Sequence, residues 1–276
     1  SLLEHGMRGF EHSSVVITGG ATGIGFALAK AFGKEGARVM IAEPRQHRLE
    51  EAVALLRAEG IKAVWRTCDV TQSEEIEALA DGAWSEFGAV DVLINNAGIK
   101  APNRPVTELD IKDLHAVFDV NFFGMWRGAA IFGNRMIQQE SRASLYSVGS
   151  ELSFFSSVPN ATAYMASKHA VLGMVEGLRE EMPDFIDVGL IVPGFVGTEM
   201  HAKPVASLGM SADQFAEVVM PQIKKGERFV VSHAFNIEHI TERYEAVSKA
   251  YEAYAPRYEG DDEFDVKAMM ARQKPR

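Results

Sequence analysis

A chain of 276 residues, 47% apolar and 24% charged, has material for a sizeable core, and a formal charge of −10 repels nucleic acid and anionic membranes alike. Its one cysteine, Cys68, excludes an intrachain disulfide and a cysteine-rich metal site, which fits a reducing cytoplasm. No apolar run approaches the ~20 residues that cross a bilayer, and the N-terminus lacks an apolar signal core, so neither export nor membrane insertion is expected.

The β-branched run Ser14 to Thr18 reads as a strand, followed by a glycine-rich turn and a helical pattern from Phe26 to Phe32. The alternation then repeats. Strands are expected at Arg38 to Ala42, Ala63 to Thr67, Asp91 to Ile94, Ser144 to Val148, Val188 to Val192 and Phe229 to Val231. Helices are expected at Gln46 to Ala58, Ser73 to Phe87, Leu109 to Ile137 and Ala163 to Met182, with one more over Ile237 to Tyr254. Strands alternating with helices predict an α/β fold with a parallel, doubly wound seven-stranded sheet. With no linker or repeat in view, the chain reads as a tail over 1–12, one domain over 13–232 with a substrate loop at 198–222, and a helical extension over 233–276.

In such sheets ligands sit beyond the carboxyl ends of the strands, and the informative motifs fall there. Thr18-Gly19-Gly20-Ala21-Thr22-Gly23-Ile24-Gly25 joins the first strand to the first helix, so backbone amides can approach a pyrophosphate with no side chain between them. Glu43 closes the second strand 18 positions after Gly25, near the ~20-residue spacing at which an acid meets the ribose hydroxyls of NAD. A solvated strand-end acid is the alternative. Arg45 is close enough to grip a phosphate, but Glu43 repels a 2′-phosphate, so NAD is the expected cofactor. Tyr164 and Lys168 are four apart in a helical pattern and share a face. A neighbouring ammonium favours the phenolate, which equips Tyr164 as an acid/base. His115, His169 and His233 show no ligand spacing, and no metal is expected.

The spacing Thr-Gly-x-x-x-Gly-x-Gly, Asn95-Asn96-Ala97-Gly98 after the fourth strand and Tyr164-x-x-x-Lys168 after the fifth together resemble the short-chain dehydrogenase/reductase family over about residues 10 to 232. The resemblance implies a Rossmann-like fold and hydride transfer between NAD and an alcohol or ketone. It also implies that Asp69 and Val70 flank the adenine, that Asn95 ties strands together and borders the cofactor, and that Ala97 and Gly98 line it. Thr22 stands where relatives that prefer NADP often carry a basic residue. Ser150, 14 positions before Tyr164 where the family spaces them by about 13, is the expected partner of the substrate oxygen, ahead of Ser147 and Ser153. Asn121 matches a helix-kinking asparagine that holds a water linked to the lysine. Pro193-Gly194-Phe195-Val196-Gly197-Thr198 resembles the segment whose backbone, Val196 and Thr198 hold the nicotinamide carboxamide.

Relatives pair the helix carrying Phe118, Phe122, Phe123 and Trp126 with its copy, which implies a homodimer or homotetramer. Val148-Gly149-Ser150-Glu151, Lys168-His169-Ala170-Val171 and the long tail resemble bacterial dehydrogenases that oxidise benzylic secondary alcohols of lignin-type aryl ethers. The expected substrate is therefore a bulky secondary alcohol or its ketone, walled by Phe154, Phe155, the Met200 to Met220 loop and the tail. A tail helix packed on the sheet or on a neighbouring subunit is the competing reading. Steroid or sugar-alcohol dehydrogenases of the same family, and an NAD-binding regulator without catalysis, are the alternative functions.

Overall fold

Residues Ser14–Thr18 form strand β1, and all five are buried. A strand apolar on both faces belongs inside a sheet that is covered on both sides. In the computed structural model, which describes residues 8–273, β1 is an interior strand of a seven-stranded sheet. The chain continues as α1 (Gly23–Lys34), β2 (Arg38–Glu43), α2 (Gln46–Ala58), β3 (Lys62–Thr67), α3 (Ser73–Phe87), β4 (Val92–Asn95), α4 (Ile111–Phe118) and α5 (Met125–Gln139). Then come β5 (Ala143–Val148), α6 (Thr162–Glu181), β6 (Ile186–Val192), β7 (Val196–Gly197), α7 (Lys203–Ala206), β8 (Met210–Ser211), α8 (Ala212–Lys224), β9 (Phe229–Val231), α9 (Asn236–Tyr254) and α10 (Val266–Gln273).

The large sheet runs in the order β3-β2-β1-β4-β5-β6-β9 with every pairing parallel, as the alternation predicts. Successive residues of each strand feed opposite cores. Val15, Ile17, Val39 and Ile41 meet Leu28, Phe32, Leu49, Leu56 and Phe215 from α1, α2 and α8. Val16, Met40, Leu93 and Leu145 meet Ile76, Leu79, Phe132, Met136 and Val175 from α3, α5 and α6. Strand order reverses between β1 and β4, and a crevice opens there.

Tertiary packing moves several sequence boundaries. Residues 1–7 of the expected N-terminal tail lie outside the described residues, but Phe10 is fully buried, with its ring edge-on to Phe32 at 4.9 Å. Arg8 donates to Ser144 Oγ at 3.1 Å and to Asp91 Oδ1 at 3.3 Å, so this stretch is part of the domain. The helix expected over Leu109 to Ile137 is interrupted by a π-helical turn, Asp119–Gly124. The expected substrate loop carries structure of its own: the short α7 and β8 fall inside it, and α8 sends Phe215, Val219 and Ile223 into the core.

The chain divides into two compact units after Ala234, one residue beyond His233. Within the second unit, α9 leaves Ile237, Tyr244, Val247 and Tyr251 exposed, and Arg272 pairs with Asp262 at 3.1 Å. Among the described residues no helix is long and apolar enough to cross a membrane.

Candidate active site

The crevice is pinned from both sides by short polar bonds. Thr18 Oγ1 accepts from the backbone N–H of Asn96 at 3.0 Å and of Ala97 at 3.2 Å, and Asn96 Nδ2 donates to the carbonyls of Thr18 and Gly19. Gly19 and Gly23 take φ of +63° and +56°, the left-handed region that favours glycine. A Cβ on Gly25 would lie 2.2 Å from Gly19 O, so only glycine lets α1 start this close to the turn.

Thr22 precedes α1 in an extended conformation and makes no side-chain cap. The first amides of the helix, at Gly23, Ile24 and Gly25, therefore face the crevice end without an intrahelical acceptor. That donor set suits a phosphate.

A cavity of about 640 Å³ lies beyond the strand ends. Thr22, Ile24, Gly98, Pro193, Gly194, Val196 and Thr198 line it together with Ser150, Tyr164 and Lys168. Gly19 and Ala97 sit in the turns beside it, and Gly23 and Gly25 in the first turn of α1. Glu43, Asp69 and Val70 are further out, at the ends of β2 and β3. Asp69 Oδ1 accepts from Thr71 N at 2.9 Å and Thr71 Oγ1 at 2.8 Å, while Val70 is buried against Gly124.

Two sequence expectations are corrected. Asn95, the last residue of β4, pairs with Ser147 of β5, but its side chain does not border the cavity: it is 1% exposed, and its Nδ2 donates to Met125 O at 3.0 Å, fastening β4 to α5. The neighbouring Asn96 is the residue that lines the cavity, because adjacent residues of a strand point to opposite faces. Phe154 and Phe155 do not wall the cavity either. Phe154 packs edge-on to Phe229 at 5.9 Å, Phe155 is buried, and the apolar wall is made by Leu152, Val158, Phe195, Met200 and Val205.

Tyr164 and Lys168 project from the first turns of α6. Lys168 is 3% exposed, its Nζ donates to Val148 O at 3.0 Å, and it stands 5.5 Å from the centre of the Tyr164 ring. Burial draws the lysine down to about 8. Burial pushes the Tyr164 phenol up to about 12, with a hydrogen bond from Ser150 acting the other way and the Glu151 carboxylate adding to the rise. Ser150 caps the short turn Glu151–Ser153: its Oγ accepts from Leu152 N at 3.1 Å, and its own N–H donates to Ser153 Oγ at 3.2 Å. Ser153 is fully buried in that role, and Ser147 is fully buried in β5.

Asn121 lies inside the π turn with no exposure. Its Oδ1 accepts from Ile99 N at 2.8 Å, and its Nδ2 donates to Ile99 O and Ser167 Oγ, which holds the loop after β4 against α6.

Three further residues shape the site through contacts that the sequence analysis did not assign. Arg45 turns back on Glu43, donating from Nε at 3.0 Å and Nη2 at 2.8 Å, so the acid is already paired. Arg48 of α2 reaches Glu199 at 2.6 Å and ties the loop after β7 across the crevice. His233 accepts from Gly194 N at 3.2 Å and lies 3.2 Å from Phe195 O, which clamps the segment leading to Val196 and Thr198. No cluster of three or more metal-ligating side chains occurs among the described residues.

A doubly wound sheet with an uncapped glycine turn at its switch point, and a tyrosine beside a buried lysine in the same cavity, defines an oxidoreductase built around a nicotinamide nucleotide. The chain belongs to the short chain dehydrogenase family, whose pattern it matches over residues 13–208, and it acts on a hydroxyl or keto group. It is 32% identical over 230 residues to 1-deoxy-11-beta-hydroxypentalenate dehydrogenase of Streptomyces avermitilis, covering 80% of this chain and 85% of that one. A short chain dehydrogenase/reductase from Burkholderia phymatum, solved in complex with NAD, superposes with a TM-score of 0.83 at 26% identity, over 88% of this chain and 97% of that one. The apo form of LigO from Sphingobium sp. strain SYK-6 superposes with the same TM-score, 0.83, at 26% identity, over 98% of this chain and all of that one.

Proposed function

We propose that the protein is an NAD-dependent dehydrogenase of bulky alicyclic or aromatic secondary alcohols, working also as the reductase of the corresponding ketones. The observation that carries this reading is the convergence of Ser150, Tyr164 and Lys168 on one cavity that also takes in the uncapped start of α1. A bound nicotinamide supplies hydride transfer at the carbon. The chain supplies everything else.

Ser150 holds the substrate oxygen, and Tyr164 exchanges its phenolic proton with that oxygen. Lys168, as an ammonium, favours the phenolate. Asn121 is a positioning residue that fixes Ile99 and Ser167. The amides of Gly23, Ile24 and Gly25, with Gly19 and Thr22 around them, receive the pyrophosphate. Asp69 and Val70 border the adenine, Asn96, Ala97 and Gly98 back the ribose and nicotinamide, and Pro193, Gly194, Val196 and Thr198 hold the carboxamide. Glu43 receives the ribose hydroxyls, which favours NAD over NADP, in keeping with the NAD complex of the Burkholderia relative.

Cavity volume and wall support a bulky substrate, since about 640 Å³ edged by Leu152, Val158, Phe195, Met200 and Val205 leaves apolar room beyond a nicotinamide. The relative named for a hydroxypentalenate is in keeping with a bulky alicyclic alcohol. Tyr164→Phe tests the reading: turnover of aryl and alicyclic secondary alcohols should fall at least ~100-fold while NADH affinity stays within a few-fold. Turnover close to wild type would end it.

A homodimer or homotetramer fits the apolar face on the helix around the π turn, where Phe123 and Trp126 are 48% and 54% exposed and meet the Phe122 ring tilted and edge-on. Light scattering at micromolar concentration should report a dimer or tetramer, and a monomer would refute this.

A further inference from the structure

Besides Lys168, the cavity carries two basic side chains that the proton chemistry does not use. Lys100, two positions beyond Gly98, is exposed at the cavity and forms no ion pair or hydrogen bond among the described residues. His201 follows β7 on the opposite loop. Its backbone N–H donates to Thr198 O at 3.0 Å, and its ring stands edge-on to Phe195 at 4.9 Å, so the imidazole is held in place. Its Nδ1 is shut off from solvent and has no hydrogen-bond partner among the described residues. With Nδ1 closed off and lacking an acceptor, the proton of the neutral ring is better placed on Nε2, and the residue lines the cavity.

The charges in the cavity have distinct neighbours. Burial and the Lys100 ammonium both hold His201 below its ordinary value, so the ring is neutral near pH 7 and offers an N–H donor or a lone pair. Glu151 acts on Tyr164, beside the reacting atoms, and Glu199 is taken by Arg48. Lys100 stands close enough to His201 for its charge to be felt there.

We propose that Lys100 and His201 form a carboxylate subsite, so that the substrate is a hydroxy acid, or its keto acid, whose carboxylate is held apart from the reacting carbon. A carboxylate is the group that satisfies both residues at once: one oxygen takes the ammonium, and another accepts from Nε2–H of the neutral imidazole, the ring nitrogen that is not closed off. A hydroxyl or an amide satisfies His201 but leaves the charge of Lys100 uncompensated. An amine is repelled by it. Glu151, whose charge acts on Tyr164, discourages the reversed orientation, so the subsite also sets which end of the substrate meets Tyr164. The proposal rests on the secondary-alcohol reading above.

The test compares 4-(1-hydroxyethyl)benzoate with its methyl ester, using the full chain, NAD, and the variants Lys100→Met and Lys100→Arg. Wild type should prefer the acid by about tenfold or more in kcat/KM, the loss of a charged hydrogen bond being of that size. Lys100→Met should shrink the acid-to-ester ratio by about tenfold, through KM for the acid rather than kcat, and Lys100→Arg should restore part of it. Quenching of enzyme-bound NADH fluorescence by each compound gives the affinities without turnover. Turnover of the ester equal to that of the acid, with a ratio unmoved by Lys100→Met, overturns the subsite and leaves the alcohol reading standing. Lys100-dependent binding of the acid without turnover of either compound upholds the subsite and removes the alcohol reading. Failure of both compounds to bind overturns the subsite.

Discussion

Replacing Lys168 with methionine keeps the length of the side chain and removes its charge. The ammonium, itself buried, stands 5.5 Å from the centre of the Tyr164 ring, which lines the cavity. At an effective dielectric of ~20, one charge at that distance is worth about 3 kcal/mol, or about two pKa units of help to the phenolate. Tyr164, pushed up to about 12 by burial, needs that help at neutral pH. Lys168 itself is drawn down to about 8, so it is charged at pH 7 and loses its charge as the pH rises through that value.

Lys168→Met should therefore lower kcat/KM about 100-fold at pH 7, in oxidation and reduction alike, because one transition state serves both directions. The sign of the pH effect follows from the same numbers. The ratio of wild type to variant should be largest below pH 8 and narrow above it, where the wild-type lysine no longer carries the charge. Following NADH absorbance from pH 6 to 10 in both directions, with Tyr164→Phe as the background, measures that ratio. A ratio constant across the range would refute the electrostatic role and leave Lys168 as a group that only positions its neighbours.

Glu43→Ala removes the acceptor of three bonds from Arg45 and frees that guanidinium for a phosphate. The preference for NAD over NADP should shrink by about tenfold or more, and the double variant with Arg45→Ala should lose the gain in NADP. A wild-type enzyme that favours NADP would contradict the premise. His233→Ala deletes the acceptor of Gly194 N and the contact with Phe195 O, about 1–2 kcal/mol of hydrogen bonding in the segment before Val196 and Thr198. Affinity for NADH, measured by its fluorescence, should fall by about fivefold to thirtyfold, and unchanged affinity would mean the clamp does not reach the cofactor.

Local pattern alone carried much of this protein. Strand and helix periods are properties of a few consecutive residues, so the seven strands and the order of the elements were legible directly, as were Tyr164 and Lys168 on one face of α6. The glycine turn was legible for the same reason: positive φ at Gly19 and Gly23, and the close approach at Gly25, are demands on single residues that only glycine meets. What the sequence left open depended on contacts between distant segments. Asn95 and Asn96 look alike in the chain, and only the packing of β4 against α5 on one side and the Thr18 turn on the other decides which one faces the cavity. Phe10 reads as tail until Phe32 is placed beside it. His233 sits 39 positions from Gly194, Glu199 is 151 from Arg48, and Lys100 is far along the chain from His201, so no window of sequence holds either member with its partner. Parallel strands bring such segments together because each crossover returns the chain to the same end of the sheet, and it is there that loops unrelated in sequence share one cavity.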